Sequence, residues 1–174
     1  MTHDPDFKAD LARYPARPFL REHSIWAIFV YRFGRRTFKR RKGALRSIQL
    51  KFHTLAFRFV EIITGISLPP EAQIGPGLRI YHFGNIFVHE NAVIGRNCTL
   101  RQGVTIGNIG TEGPVPIIED DVELGAYAQV YGPVRIGSGA KIGAMSVVLC
   151  DVPAGATVFG NPARILPRHS KQKS

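Results

Sequence analysis

From Glu71 to Val148 the chain advances in sixes, a period that neither an α-helix nor an ordinary strand satisfies. Ile74, Ile80 and Ile86 make one run. Ile94, Leu100 and Ile106 make a second, and Ile118, Leu124, Val130, Ile136, Ile142 and Val148 a third. Two positions before most of them stands a small or short apolar residue: Ala72, Ala92, Cys98, Val104, Val122, Ala128, Val134, Ala140 or Ser146. Glycine follows many of them, at Gly75, Gly95, Gly107, Gly125, Gly137 and Gly143. A helix would repeat its apolar face at threes and fours; a hexad repeat belongs to parallel β-helices. Each hexad reads as a short flat strand and a turn. The aliphatic residue points into a narrow prism, the small one fills the corner, and glycine allows a turn that a Cβ would strain. One coil cannot bury its own face, so stability comes from stacking. The expected fold is mainly β, a parallel β-helix with a short α-helical N-terminal extension.

The register slips twice. The interval from Ile86 to Ile94 is eight, which places two extra residues at Phe87-Val88. The interval from Ile106 to Ile118 is twelve, and Gly-Asn-Ile-Gly-Thr-Glu-Gly-Pro-Val over 107–115 has loop composition, so an extruded loop is expected over 107–117. Loops on a rigid scaffold are where binding residues concentrate.

Charge divides the chain at the same boundary as the repeat. Residues 1–66 carry 14 Lys+Arg against 5 Asp+Glu, whereas the rest carries 9 against 8. Three segments follow: a basic arm with two helices over 1–66, the β-helix over 67–166, and a basic tail over 167–174. The first 18 residues contain three prolines and no period, and read as an arm. A helix is expected from Phe19 to about Lys42, with Ser24 as N-cap. A second is expected from Ala44 to Thr64, where Leu45, Ile48, Phe52, Leu55, Phe59 and Ile62 mark one buried face. Gly65 stops it. The plain reading is a helical cap on the first coil that also packs against other subunits. A sharper one adds peripheral contact with an anionic membrane through the cluster Arg32–Lys42. No named nucleic-acid motif accompanies that cluster, so nucleic-acid binding is not expected. The acidic start, Asp4 and Asp6, argues against a signal peptide. Two distant cysteines, Cys98 and Cys150, fit reduced thiols in a cytoplasmic protein.

Within the repeat the chemistry narrows to one side chain. Only His82 and His89 of the six histidines lie there, and no Cys-x-x-Cys assists them, so no metal is expected. His82 stands in Ile80-Tyr81-His82-Phe83-Gly84-Asn85, just ahead of the first slip and near the loop in a stacked coil. There it could serve as an acid–base group.

Ile80-Tyr81-His82-Phe83-Gly84, Gly103-Val104-Thr105-Ile106-Gly107 and Gly143-Ala144-Met145-Ser146-Val147-Val148-Leu149 resemble the hexapeptide acyltransferases of the serine acetyltransferase branch. Val152-Pro153 and Gly160-Asn161-Pro162-Ala163-Arg164 fit the same pattern. The basic helical N-terminus and the Gly-Val-Thr-Ile-Gly-Asn run look most like acetyltransferases of exopolysaccharide and colanic-acid clusters. The resemblance implies a left-handed β-helix, a homotrimer with its active site between subunits, and acetyl-CoA as donor. It makes His82 the general base and gives Glu90 a supporting role. Gly107, Asn108, Ala126 and Ala144 would line the pantetheine arm, and Lys141 would lie near the phosphates. Imidazole suits the work because its ordinary titration spans physiological pH.

The chain also departs from that family. Ser67 and Tyr81 stand where serine acetyltransferases carry aspartates, and Pro114 and Val115 where they carry a carboxylate-holding arginine and histidine. Glu112 is the only ionic side chain of the loop. A zwitterionic amino acid needs paired charges, so a sugar hydroxyl in exopolysaccharide biosynthesis is the expected acceptor, at the inner membrane face. L-Serine is the alternative acceptor, and a non-catalytic scaffold the alternative outside enzymology.

Overall fold

The computed structural model describes residues 4–167. The tail expected over 167–174 lies outside the described residues except for Pro167, as do Met1, Thr2 and His3. Four helices come first: α1 (Pro5–Leu11), α2 (Pro18–Arg21), α3 (Ser24–Phe38) and α4 (Ala44–Thr64). Short strands follow: β1 (Ile66–Ser67), β2 (Gln73–Ile74), β3 (Arg79–Tyr81), β4 (Ile86–Val88), β5 (Val93–Ile94), β6 (Thr99–Arg101), β7 (Thr105–Gly107) and β8 (Ile117–Ile118). Then come β9 (Glu123–Leu124), β10 (Gln129–Tyr131), β11 (Arg135–Ile136), β12 (Lys141–Ile142), β13 (Val147–Val148), β14 (Thr157–Phe159) and β15 (Arg164–Ile165).

Every third strand stacks on the last, so the strands form three sheets, β1-β4-β7-β10-β13, β2-β5-β8-β11 and β3-β6-β9-β12-β14-β15. Pairing is parallel throughout except between β14 and β15. This is a parallel β-helix of triangular section. In register, Ile118 pairs with Ile136, Leu124 with Ile142 and Val130 with Val148, each 18 residues on. Those columns, with Ile80, Ile94, Leu100 and Ile106, are fully buried.

The longer slip is as the spacing predicts. β7 ends at Gly107 and β8 begins at Ile117, and residues 109–114 between them are exposed. The shorter slip lies elsewhere than Phe87-Val88. Val88 pairs with Ile106 and is buried, so Val88, not Ile86, holds the column. Ile86, also buried, takes the corner place filled in later coils by Val104, Ala128 and Ser146. The two extra residues therefore sit between Ile80 and Ile86. Any aliphatic side chain six from Ile80 imitates the column, which is why spacing alone misplaces the slip.

The helices close the open end of the prism. Tyr31 donates its hydroxyl to Ala72 O at 2.8 Å and accepts from Ile74 N at 3.0 Å. Tyr14 accepts from Ile80 N, and Ser24 donates to Ile80 O. A bare solenoid edge would present these backbone groups as an open template for another chain, and once the helices shield them from water they need these partners. The segment expected as an arm carries α1, and Phe7 on α1 joins the core. Asp10 and Arg32 are both buried and joined at 2.8 and 3.0 Å. Arg32 also donates to Ile74 O and Gly75 O, and Asp10 accepts from Leu78 N. Arg32 is thus a core clamp and must be removed from the membrane-facing cluster. Arg35 is likewise engaged with the carbonyls of Pro70 and Glu71, and Arg36 with Asp4. Lys39, Arg40, Arg41 and Lys42 remain exposed. No described helix is long and apolar enough to cross a membrane.

The single helix expected from Phe19 to about Lys42 is broken at Glu22-His23 into α2 and α3, and the N-cap of α3 is His23, not Ser24, whose hydroxyl bonds the first coil instead. α4 runs as the periodicity predicts, ending at Gly65 with φ 64°. The face of α4 expected to be buried is not covered within the chain. Leu45, Ile48, Phe52, Leu55, Phe59 and Ile62 are each 63–83% exposed. The stripe turned inward lies one residue on and includes His53, Val60 and Thr64. His53 fits because the facing residue is Gly34; a Cβ there would collide with the ring. Burial lowers the His53 pKa, against smaller pulls from Glu71 and the Val30 backbone.

Candidate active site

The extra residues make one corner of the prism unlike the rest. Between β3 and β4 the chain needs Tyr81-His82-Phe83-Gly84-Asn85 to turn where later coils use Arg101-Gln102-Gly103, Gly125-Ala126-Tyr127 and Gly143-Ala144-Met145. Inserted residues in a sheet commonly re-aim a side chain. Here His82 has φ 66°, Gly84 φ 107° and Asn85 φ 55°. Left-handed backbone costs about 1–2 kcal/mol for a residue with a Cβ, so neighbouring structure must hold His82 in place. Part of that support is a backbone ladder along the corner. Gly103 N donates to Gly84 O at 2.9 Å, Tyr127 N to Gln102 O at 2.8 Å and Met145 N to Ala126 O at 2.8 Å. Another part is the Phe83 ring, 4.7 Å from that of His23. His82 itself is exposed.

This ladder gathers some of the residues singled out from sequence and separates others. His82, Ala126 and Ala144 lie along the same corner, with Gln102 between the histidine and the two methyl side chains. Gly107 and Asn108 lie at the far edge of the first sheet, beyond β7, and Glu90 follows β4 on that same edge. A three-residue strand, about 10 Å, separates the two edges. Within one chain the loop is therefore not beside His82. Lys141 opens β12 on the third sheet and pairs with Glu123 at 3.0 Å, both exposed. Ser67 sits on β1 in register with Phe87.

Sequence reasoning missed the group next to the histidine. Tyr81 on β3 pairs in register with Arg101 on β6. The Tyr81 ring is 4.3 Å from the Arg79 guanidinium and 5.4 Å from that of Arg101. Arg79 is itself stacked 3.8 Å over Tyr14 and paired with Glu22 at 3.1 Å. Two stacked hexads in which Arg79, Tyr81, Thr99 and Arg101 occupy outward places carry the signal, but only once the strands are aligned. Cys98 is no candidate nucleophile: burial pushes its thiol up to about 11.

Two apolar concavities do not have His82 in their lining. One of about 670 Å³ is bounded by Pro153–Thr157 and Ile165–Pro167. Another of about 420 Å³ lies between α3 and α4, lined by Trp26, Phe29, Phe52 and Phe59. His82 instead stands on open surface.

A triangular parallel β-helix with one histidine raised on an expanded corner places the chain among the hexapeptide-repeat transferases. Residues 116–150 match the family model described as bacterial transferase hexapeptide (six repeats). The chain is 38% identical to a serine acetyltransferase of Bacillus licheniformis over 153 residues, covering 86% of this chain and 66% of that one. It is 32% identical to a serine acetyltransferase of Mycobacterium tuberculosis, covering 92% and 70%. Among solved structures, the serine acetyltransferase of Neisseria gonorrhoeae in complex with serine superposes with TM-score 0.76 at 34% identity, covering 91% and 65%. A serine acetyltransferase complex with CoA superposes with TM-score 0.76 at 32% identity, covering 92% and 66%. The chain belongs to the serine acetyltransferase family, and spans about two thirds of the length of these relatives.

These likenesses overturn the expected sugar acceptor. The similar proteins are named serine acetyltransferases, and nothing supports the exopolysaccharide resemblance. Paired charges need not come from the loop, since Arg101 lies in register with Tyr81, the residue before His82.

Proposed function

We propose that the chain is an acetyl-CoA-dependent serine O-acetyltransferase with His82 as its general base. The observation that carries this reading is the placement of His82, exposed on a corner widened by two residues, in a chain of the serine acetyltransferase family. The imidazole takes the proton from the serine hydroxyl as that oxygen attacks the thioester carbonyl carbon. The carbon–sulfur bond then breaks, and the imidazolium returns its proton to the departing thiolate. Positioned proton transfer of this kind contributes about 10²–10⁴-fold.

The small side chains of Ala126 and Ala144 fit a pantetheine arm laid along the corner, with its carbonyl end toward His82. Gly107, Asn108, Glu90 and Lys141 lie off that line. They complete the site from a neighbouring subunit of a homotrimer, where the far edge of one prism meets the histidine corner of the next. The uncovered apolar face of α4 supports such an assembly, since monomeric proteins rarely leave so continuous an apolar stripe in water.

The test is a thiol-release assay with purified chain, acetyl-CoA and L-serine, with mass detection of O-acetylserine. Serine-dependent CoA release is expected. CoA release no faster with serine than without it would contradict the proposal and return the chain to a scaffold role.

A further inference from the structure

A serine acceptor brings a carboxylate to His82, and the loop offers no cation to receive it. The outward face of the third sheet, adjoining the histidine corner, offers four: Arg79, Arg101, Lys141 and Arg164. Arg164 stands on β15, at the opposite end of the sheet from β3 and its histidine. Two of the others are already engaged. Arg79 is buried against Glu22. Lys141 is paired with Glu123. Arg101 is exposed, and among the described residues no carboxylate lies within 4.0 Å of it.

Arg101 is also placed where a carboxylate would arrive. It sits directly across from Tyr81, about 4.8 Å away between strands, and His82 is the next residue after Tyr81. The hydroxyl and carboxylate of serine are separated by only two carbons, and Arg101 is one strand away from the residue that precedes the imidazole. The Tyr81 ring fixes the guanidinium from one side as a cation–π partner. That ring is in turn steadied by Arg79, which Tyr14 and Glu22 hold. A pre-set guanidinium loses less freedom per hydrogen bond formed than a lysine ammonium would.

We infer that Arg101 holds the carboxylate of the acceptor and sets the preference for an amino acid over an uncharged alcohol. Tyr81 and Arg79 position it. The assignment rests on the proposed serine acetyltransferase reading and supplies the charge that the loop lacks.

The discriminating experiment compares L-serine with L-serinamide, which keeps the hydroxyl and amine but has no carboxylate. The wild-type chain should favour L-serine. Arg101→Ala should lower kcat/KM for L-serine about 10- to 100-fold, chiefly through KM. It should leave L-serinamide and the KM for acetyl-CoA nearly unchanged, so that the preference collapses. Arg101→Lys should restore part of it. An unchanged ratio in Arg101→Ala, or an equal loss on both acceptors, would overturn the assignment alone. No serine turnover by the wild-type chain would remove the functional reading and this assignment with it.

Discussion

Buried charge decides what Arg32 does. By sequence it heads a cationic run of seven in eleven residues. In the fold its guanidinium is sealed beneath α1 by Asp10 and by two carbonyls of the first coil. Removing one partner of such a pair leaves the other charged and dry. Asp10→Asn is therefore expected to cost about 3–5 kcal/mol, read as a lower midpoint in urea. A loss under about 1 kcal/mol would show that water reaches the pair. Nothing in the sequence links these two residues, which stand 22 positions apart. α1 has only Phe7 and Leu11 to suggest an apolar face, too few for a period. Arg101 was invisible for a related reason, since its neighbour Tyr81 is 20 residues away and only strand register joins them.

At the scale of elements, periodicity was a good guide to what forms and a poor one to what covers it. The hexads give the strands and columns because every coil must fill the same prism. The spacing of α4 gives a helix with one apolar face. It does not say which molecule faces it, and within the chain that face meets water while the adjacent stripe packs on α3. The account expects a mass near three times 19.3 kDa by light scattering. Phe59→Asp should shift it towards the single-chain value, because a charge on a closed apolar interface is left without water or partner. A wild-type chain that runs as a monomer would contradict the assembly. The corner at His82 shows the limit of counting in sixes: Ile86 and Val88 both suit a column, and only pairing with Ile106 tells them apart.

The whole molecule joins a rigid prism, capped at one end by polar side chains from the helices, to a single raised corner. Such a scaffold can lose a surface imidazole without losing its core, so activity and folding can be separated cleanly. The most direct measurement is the rate of His82→Ala in the serine-dependent release of CoA, taken with CoA binding by calorimetry and with the unfolding midpoint. The account predicts at least a hundredfold lower kcat, with CoA affinity and stability close to wild type. A variant that turns over serine at a near-normal rate would contradict it.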